Sequence, residues 1–172
     1  KSTILNLIPR FYDPQDGFVE IDNQDISKIK LKDKKIFLVD ETYNSNPLSL
    51  KRAIENFDLI KVKNSEKYVI LGDMLELGKH AVKQHKFISK ILNKSKIKKI
   101  YVIGKYIKET YWGLKPIKRA KILDKKSNII NLINKDLNNN DYLMVKGSNA
   151  TGLNNIAKNL KKRNKNAIWI IN

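Results

Sequence analysis

The stretch IFLVDETYNSNPLSLKRAIENFDL, residues 36–59, changes structural character twice within a single short segment. Ile36, Phe37, Leu38 and Val39 form an unbroken apolar run, the pattern of a strand buried on both faces. A cluster of short polar side chains follows, and Asn46-Pro47 then sets an N-cap residue ahead of a proline at the first helical position. Residues 48–59 read as an amphipathic helix. Strand, polar loop and helix in that order is the repeating unit of a parallel α/β sheet.

Working outward, the same unit recurs. Strands are expected at residues 36–39, 68–71, 100–103, 121–123 and 142–145, with helices at 48–59, 80–92, 105–111, 128–137 and 153–160. In the second helix Ala81, His85, Ile88, Ile91 and Leu92 fall near helical spacing and supply a buried stripe. The predicted fold class is α/β, a mostly parallel sheet with helices on both faces. Right-handed crossovers gather the C-terminal ends of such strands on one edge, and a ligand is expected there.

Composition narrows the function. The 172 residues, 41% of them hydrophobic, suit one ordinary domain or one domain carrying a short appendage. No apolar run approaches the roughly 20 residues of a membrane-spanning helix, and Lys1-Ser2-Thr3 opens no secretory stretch, so a cytoplasmic location is expected. Cysteine is absent, and His80 and His85 alone make a poor metal site, so no metal is expected. The formal net charge of +18 raises nucleic acid as a partner. However, Arg10, Arg52, Arg119 and Arg163 are the only arginines, whereas arginine is the preferred group for bidentate phosphate recognition. Lysine spread along the whole chain reads as a solvated surface, and no nucleic acid is expected.

The first residues break the pattern. Residues 1–8 read as a helix and 18–21 as a strand, with a turn at 14–17. Lys1-Ser2-Thr3, Arg10-Phe11-Tyr12-Asp13-Pro14, Gly17 and Ile21-Asp22 together resemble exporter-type ATP-binding-cassette ATPases just after their phosphate loop. That resemblance would make Lys1, Ser2 and Thr3 a phosphate-loop remnant, although the glycine-rich nest that surrounds phosphates is not among these residues. The expected organisation is therefore a cassette-like fragment at 1–34, a main domain at 35–166 and an apolar tail at 167–172.

The main domain carries three motifs, each after an expected strand: DETYNSNP at 40–47, LGDMLELG at 71–78 and VKGS at 145–148. Their order and separation resemble the C-terminal domain of the Mur ligases, in particular the D-alanyl-D-alanine-adding branch of peptidoglycan synthesis. The resemblance implies a Rossmann-like domain of an ATP-dependent ligase using ATP, UDP-N-acetylmuramoyl-tripeptide and D-alanyl-D-alanine, with Mg2+ in the complete enzyme. It implies that Tyr43, Asn44 and Asn46 lie on the adenosine side of the nucleotide, and that Asp73, Glu76, Lys146 and Ser148 line the cleft. No catalytic residue is assigned. The Arg usual after the Ser of the third motif is replaced by Asn149.

Several structural roles compete with these. Asn46 is also a helix cap, Asp40 a partner for loop amides, Tyr43 a core residue, and Asp73 and Glu76 partners of helix termini. His85, on an apolar stripe, is expected to be a hydrogen-bonded core residue. In the family the phosphate loop, magnesium ligands and substrate-sugar site belong to other domains. Residues 1–172 alone are therefore expected to be a monomer that holds no tightly bound cofactor and does not catalyse ligation. The alternatives are a fragment of a cassette transporter's nucleotide-binding subunit and a basic nucleic-acid-binding module.

Overall fold

The computed structural model describes residues 20–21, 24–124 and 129–162. Lys1, Ser2, Thr3, most of the cassette-like segment and the 167–172 tail lie outside them. Among the described residues there are seven strands, β1 (Glu20–Ile21), β2 (Gln24–Leu31), β3 (Lys34–Glu41), β4 (Lys67–Gly72), β5 (Lys99–Ile103), β6 (Arg119–Leu123) and β7 (Tyr142–Lys146). They form one sheet in the order β1-β2-β3-β7-β4-β5-β6. The five from β3 to β6 in that order are mutually parallel, and β2 and β1 add an antiparallel edge.

Alternation along the strands divides the core in two. Val39, Val69, Leu71, Ile100, Val102 and Met144 face one side, where helices α1 (Pro47–Leu59), α2 (Ala81–Lys94) and α3 (Lys108–Gly113) bury Leu50, Ile54, Phe57, Ile88 and Leu92. Leu38, Tyr68, Ile70, Tyr101, Ile103, Leu143 and Val145 face the other, beneath α4 (Ile129–Asp136) and α5 (Leu153–Lys162). Helices therefore cover both faces, as the expected fold class requires. The expected helix start also appears: the Asn46 Oδ1 accepts from the Ser49 amide at 2.8 Å, and the Ser49 Oγ accepts from the Asn46 amide at 3.0 Å.

A boundary between residues 34 and 35 cuts the β2–β3 hairpin, whose register pairs Leu31 with Lys34 and Asp25 with Asp40. Ile29 and Leu31 of β2 are buried in the core beneath α4 and α5. Their alternation with Lys28, Lys30 and Lys32 is a period-two signal, and it belongs to this sheet rather than to a peripheral segment.

Close approach between β4 and β7 explains two glycines. A Cβ on Gly147 would stand 3.0 Å from the Gly72 Cα and 2.6 Å from the Leu153 Cδ1, and one on Gly72 would meet the same Leu153 carbon at 2.6 Å. The first turn of α5 thus rests on bare backbone where the two central strands end. Gly147→Ala is expected to lower stability by about 2 kcal/mol through overpacking. Urea unfolding would read this as a reduced midpoint at unchanged slope.

Candidate functional site

The strands that precede the three motifs, β3, β7 and β4, are neighbours, and Lys146 is in register with Glu41 on one side and Leu71 on the other. Loops from β3 and β4 lead to helices on one face of the sheet, while the loop from β7 leads to α5 on the opposite face. Such divergence opens a crevice at the carboxyl ends of the strands. Residues 40–47, 71–78 and 145–148 converge on it.

Cross-links between the loops fix this edge. The Lys146 ammonium donates to the Asn44 carbonyl at 2.9 Å and pairs with the Glu41 Oε2 at 3.3 Å. The Lys146 side chain is 3% exposed, so burial pushes its pKa down while Glu41 opposes the shift. Ser148 joins the other two loops: its Oγ accepts from the Leu75 amide at 3.0 Å and donates to the Ser45 carbonyl at 3.3 Å, and its amide donates to the Asp73 carbonyl at 3.1 Å. Both residues lie at the expected edge but are engaged in holding it together.

Asp73 has a similar commitment. Its carboxylate accepts from the Lys105 amide at 2.9 Å and the Ile107 amide at 2.7 Å, ahead of α3. Gly104, at φ +141°, lets the backbone reach it, since a Cβ there would lie 2.5 Å from the carboxylate. His85 is wholly buried behind this loop; its Nε2 accepts from the Met74 amide at 2.9 Å and its Nδ1 lies 2.7 Å from the Ala81 carbonyl. An acceptor at Nε2 requires the neutral Nδ1–H tautomer, and burial pushes the histidine pKa down. The 4.0 Å approach of His85 to Asp73 is accordingly a contact between a neutral ring and a carboxylate. The expectation of a hydrogen-bonded core histidine matches this geometry.

Of the three motifs, the first two supply the exposed polar side chains at this edge. Tyr43 is 93% exposed, contrary to the competing reading of a core ring, and Asn44 and Asn46 are exposed beside it. Asn46 does cap α1, and Asp40 does bind a loop amide, that of Thr42, at 3.2 Å. Glu76 is exposed with φ +65°, a left-handed conformation unusual for a residue with a Cβ. Farther along the edge, Asp73, Leu75, Gly104, Lys108, Asp124 and Thr151 line a groove of about 340 Å³. Lys108 and Asp124 were not anticipated from sequence. Each lies close to the end of a strand without a motif around it.

Among the described residues no group of three or more histidine, aspartate or glutamate side chains is arranged to hold a metal ion. Likewise no helix there is long and apolar enough to cross a membrane. Two substitutions separate scaffold from site. Lys146→Met is expected to cost about 3 kcal/mol, because it takes a buried ammonium away from the Asn44 carbonyl and from the Glu41 carboxylate. Ser45, 2% exposed, has an Oγ with no hydrogen-bond partner, so Ser45→Ala is expected to be neutral within about 0.5 kcal/mol or stabilising. Paired denaturation curves check both.

Comparison with known proteins agrees with this geometry. Residues 28–149 match the family model described as Mur ligase, glutamate ligase domain, and that match begins within β2. The UDP-N-acetylmuramoyl-tripeptide–D-alanyl-D-alanine ligase of Buchnera aphidicola is 33% identical over 144 residues, covering 81% of this chain and 30% of the relative. Among solved structures, MurF from Acinetobacter baumannii aligns with a TM-score of 0.64 at 21% identity over 80% of this chain and 30% of that one. MurF ligase from Thermotoga maritima in complex with ADP aligns at 0.60 and 22%, over 81% and 31%. At these identities the structures show the fold. The chain spans about a third of the length of the curated relatives it matches.

Proposed function

Because the chain belongs to the Mur ligase family through its glutamate ligase domain, we propose that it is the C-terminal domain of an ATP-dependent ligase that joins D-alanyl-D-alanine to UDP-N-acetylmuramoyl-tripeptide. The convergence of the three motif loops on the crevice between β3, β7 and β4 carries this reading. The reaction belongs in the cytoplasm, where ATP and the UDP-linked precursor are available. The cassette alternative has no support among the relatives found, which are Mur ligases.

In this reading Tyr43, Asn44 and Asn46 form the adenosine side of the nucleotide site. The donor set suits that role: an exposed ring for packing on a base, and exposed amide side chains beside it for hydroxyls and base edges. The rest of the edge supplies rigidity. Lys146 and Ser148 hold the three loops in one arrangement, and catalysis by positioning requires that arrangement to persist while the reacting groups are brought together. Magnesium would neutralise phosphate charge in the complete ligase, and no metal ligand is assigned to these residues.

The experiment follows from the share of the ligase that these residues represent. With ATP, Mg2+, UDP-muramoyl-tripeptide and D-alanyl-D-alanine all present, residues 1–172 alone are expected to release no phosphate above a no-protein control. Residues 28–162 grafted in place of the matching third of a D-alanyl-D-alanine-adding ligase are expected to restore product. Turnover by the isolated chain, or a folded graft that accepts a different amino acid in place of the dipeptide, would overturn the proposal.

A further inference from the structure

His85, buried behind the 71–78 loop, fixes the middle of that loop. The Met74 amide needs a lone pair at Nε2, and the Ala81 carbonyl needs a hydrogen on Nδ1. Together they admit one tautomer of the neutral ring. The rest of the loop is held from elsewhere: the Asp73 carboxylate by the Lys105 and Ile107 amides, the Asp73 carbonyl by the Ser148 amide, and the Leu75 amide by the Ser148 Oγ. A change at Met74 therefore reaches both the β5–α3 loop and the end of β7.

We propose that His85 is a positioning residue that makes the 71–78 loop proton-sensitive: neutral, it holds the Met74 amide; protonated, it exchanges that amide for the Asp73 carboxylate. The proton comes from solvent and attaches to Nε2, so two N–H groups would face each other across the 2.9 Å that now separates a donor from an acceptor. The carboxylate of the preceding residue lies 4.0 Å from the same nitrogen. Moving it toward the ring loosens its hold on the Lys105 and Ile107 amides.

The charged groups facing the ring are Asp73, from the loop after β4, and Glu109, from α3; both favour the imidazolium. The Tyr106 ring, 6.0 Å away and tilted, contributes no charge, and Thr110 donates to the His85 carbonyl rather than to the ring. Burial outweighs the Ala81 carbonyl and the two carboxylates together, and the net shift is downward. Because the unfolded chain takes up this proton near the ordinary histidine value of about 6.5, and the fold resists it to lower pH, the neutral ring contributes stability above that value. The contribution is lost as pH falls through the window down to the folded value.

The importance of this loop for ligation rests on the function proposed above, whereas the test reads the chain alone. Imidazole and amide nitrogen spectra of residues 1–172 would be followed between pH 8 and 4.5. The expected result is an Nδ1–H tautomer at neutral pH, then a joint shift of the Met74, Leu75, Lys105, Ile107 and Ser148 amides with one midpoint below about 6.5. In His85→Gln the Oε1 can still accept the Met74 amide but cannot titrate, so that amide should stay protected from exchange and the transition should vanish. In His85→Leu protection should fall about tenfold, the order expected for one lost hydrogen bond. An Nε2–H tautomer, a His85 titration that leaves these amides still, or a transition that survives in His85→Gln would overturn the proposal. If His85→Leu fails to fold, the wild-type titration and the glutamine variant still decide it.

Discussion

Three parallel strands ending side by side present backbone carbonyls and amides at one edge, and each such group that is shielded from water needs a partner. Here the partners come from the neighbouring loops. Lys146 reaches across to the loop after β3, and Ser148 bonds to that loop and to the one after β4. The bare backbone at Gly72 and Gly147 lets the strands and α5 come close enough for this to happen. Helices leaving on opposite faces open the crevice, the Lys105 and Ile107 amides aim the Asp73 carboxylate, and those cross-links hold the three loops together around it. A residue that would serve as an anion clamp if exposed becomes a staple when it is buried against a carboxylate.

The same principle accounts for part of the lysine excess. Lys34 donates to the Asn134 and Leu137 carbonyls at the end of α4, Lys67 to the Asp58 carbonyl at the end of α1, and Lys118 to the Ser95 and Ile97 carbonyls after α2. Helix C-termini leave carbonyls unpaired and carry partial negative charge, so an ammonium there satisfies both. Burial pushes the pKa of Lys67 and Lys118 down while Asp58 pulls each upward. Charge that looks compositional in the sequence is thus partly employed in ending helices.

Much of the sheet could be read directly from the chain, because strands buried on both faces produce unbroken apolar runs and the intervening helices keep a different period. Residues 36–39 and 100–103, for example, lie within β3 and β5. The N-cap at Asn46 was legible for the same local reason. β2 was not, since its alternating KIKLK is shared by any half-buried strand and only its pairing with β3 shows which sheet it joins. Side-chain engagement was also hidden: nothing near Lys146 in sequence reveals that Asn44, more than a hundred residues earlier, supplies the carbonyl it binds. The apolar stripe marks His85 as a core residue, but the Met74 amide that fixes its tautomer depends on how the loop after β4 folds back over α2.

The central claim is that this edge forms one side of an adenine-nucleotide site. Titrating ADP into isotope-labelled residues 1–172, with the amide of every assigned residue followed, tests it most directly. The account predicts saturable, weak perturbations concentrated at Tyr43, Asn44 and Asn46 and weaker ones at the neighbouring loop ends. Perturbations spread over the lysine-rich surface that collapse on adding salt, with residues 43–46 unmoved, would contradict it.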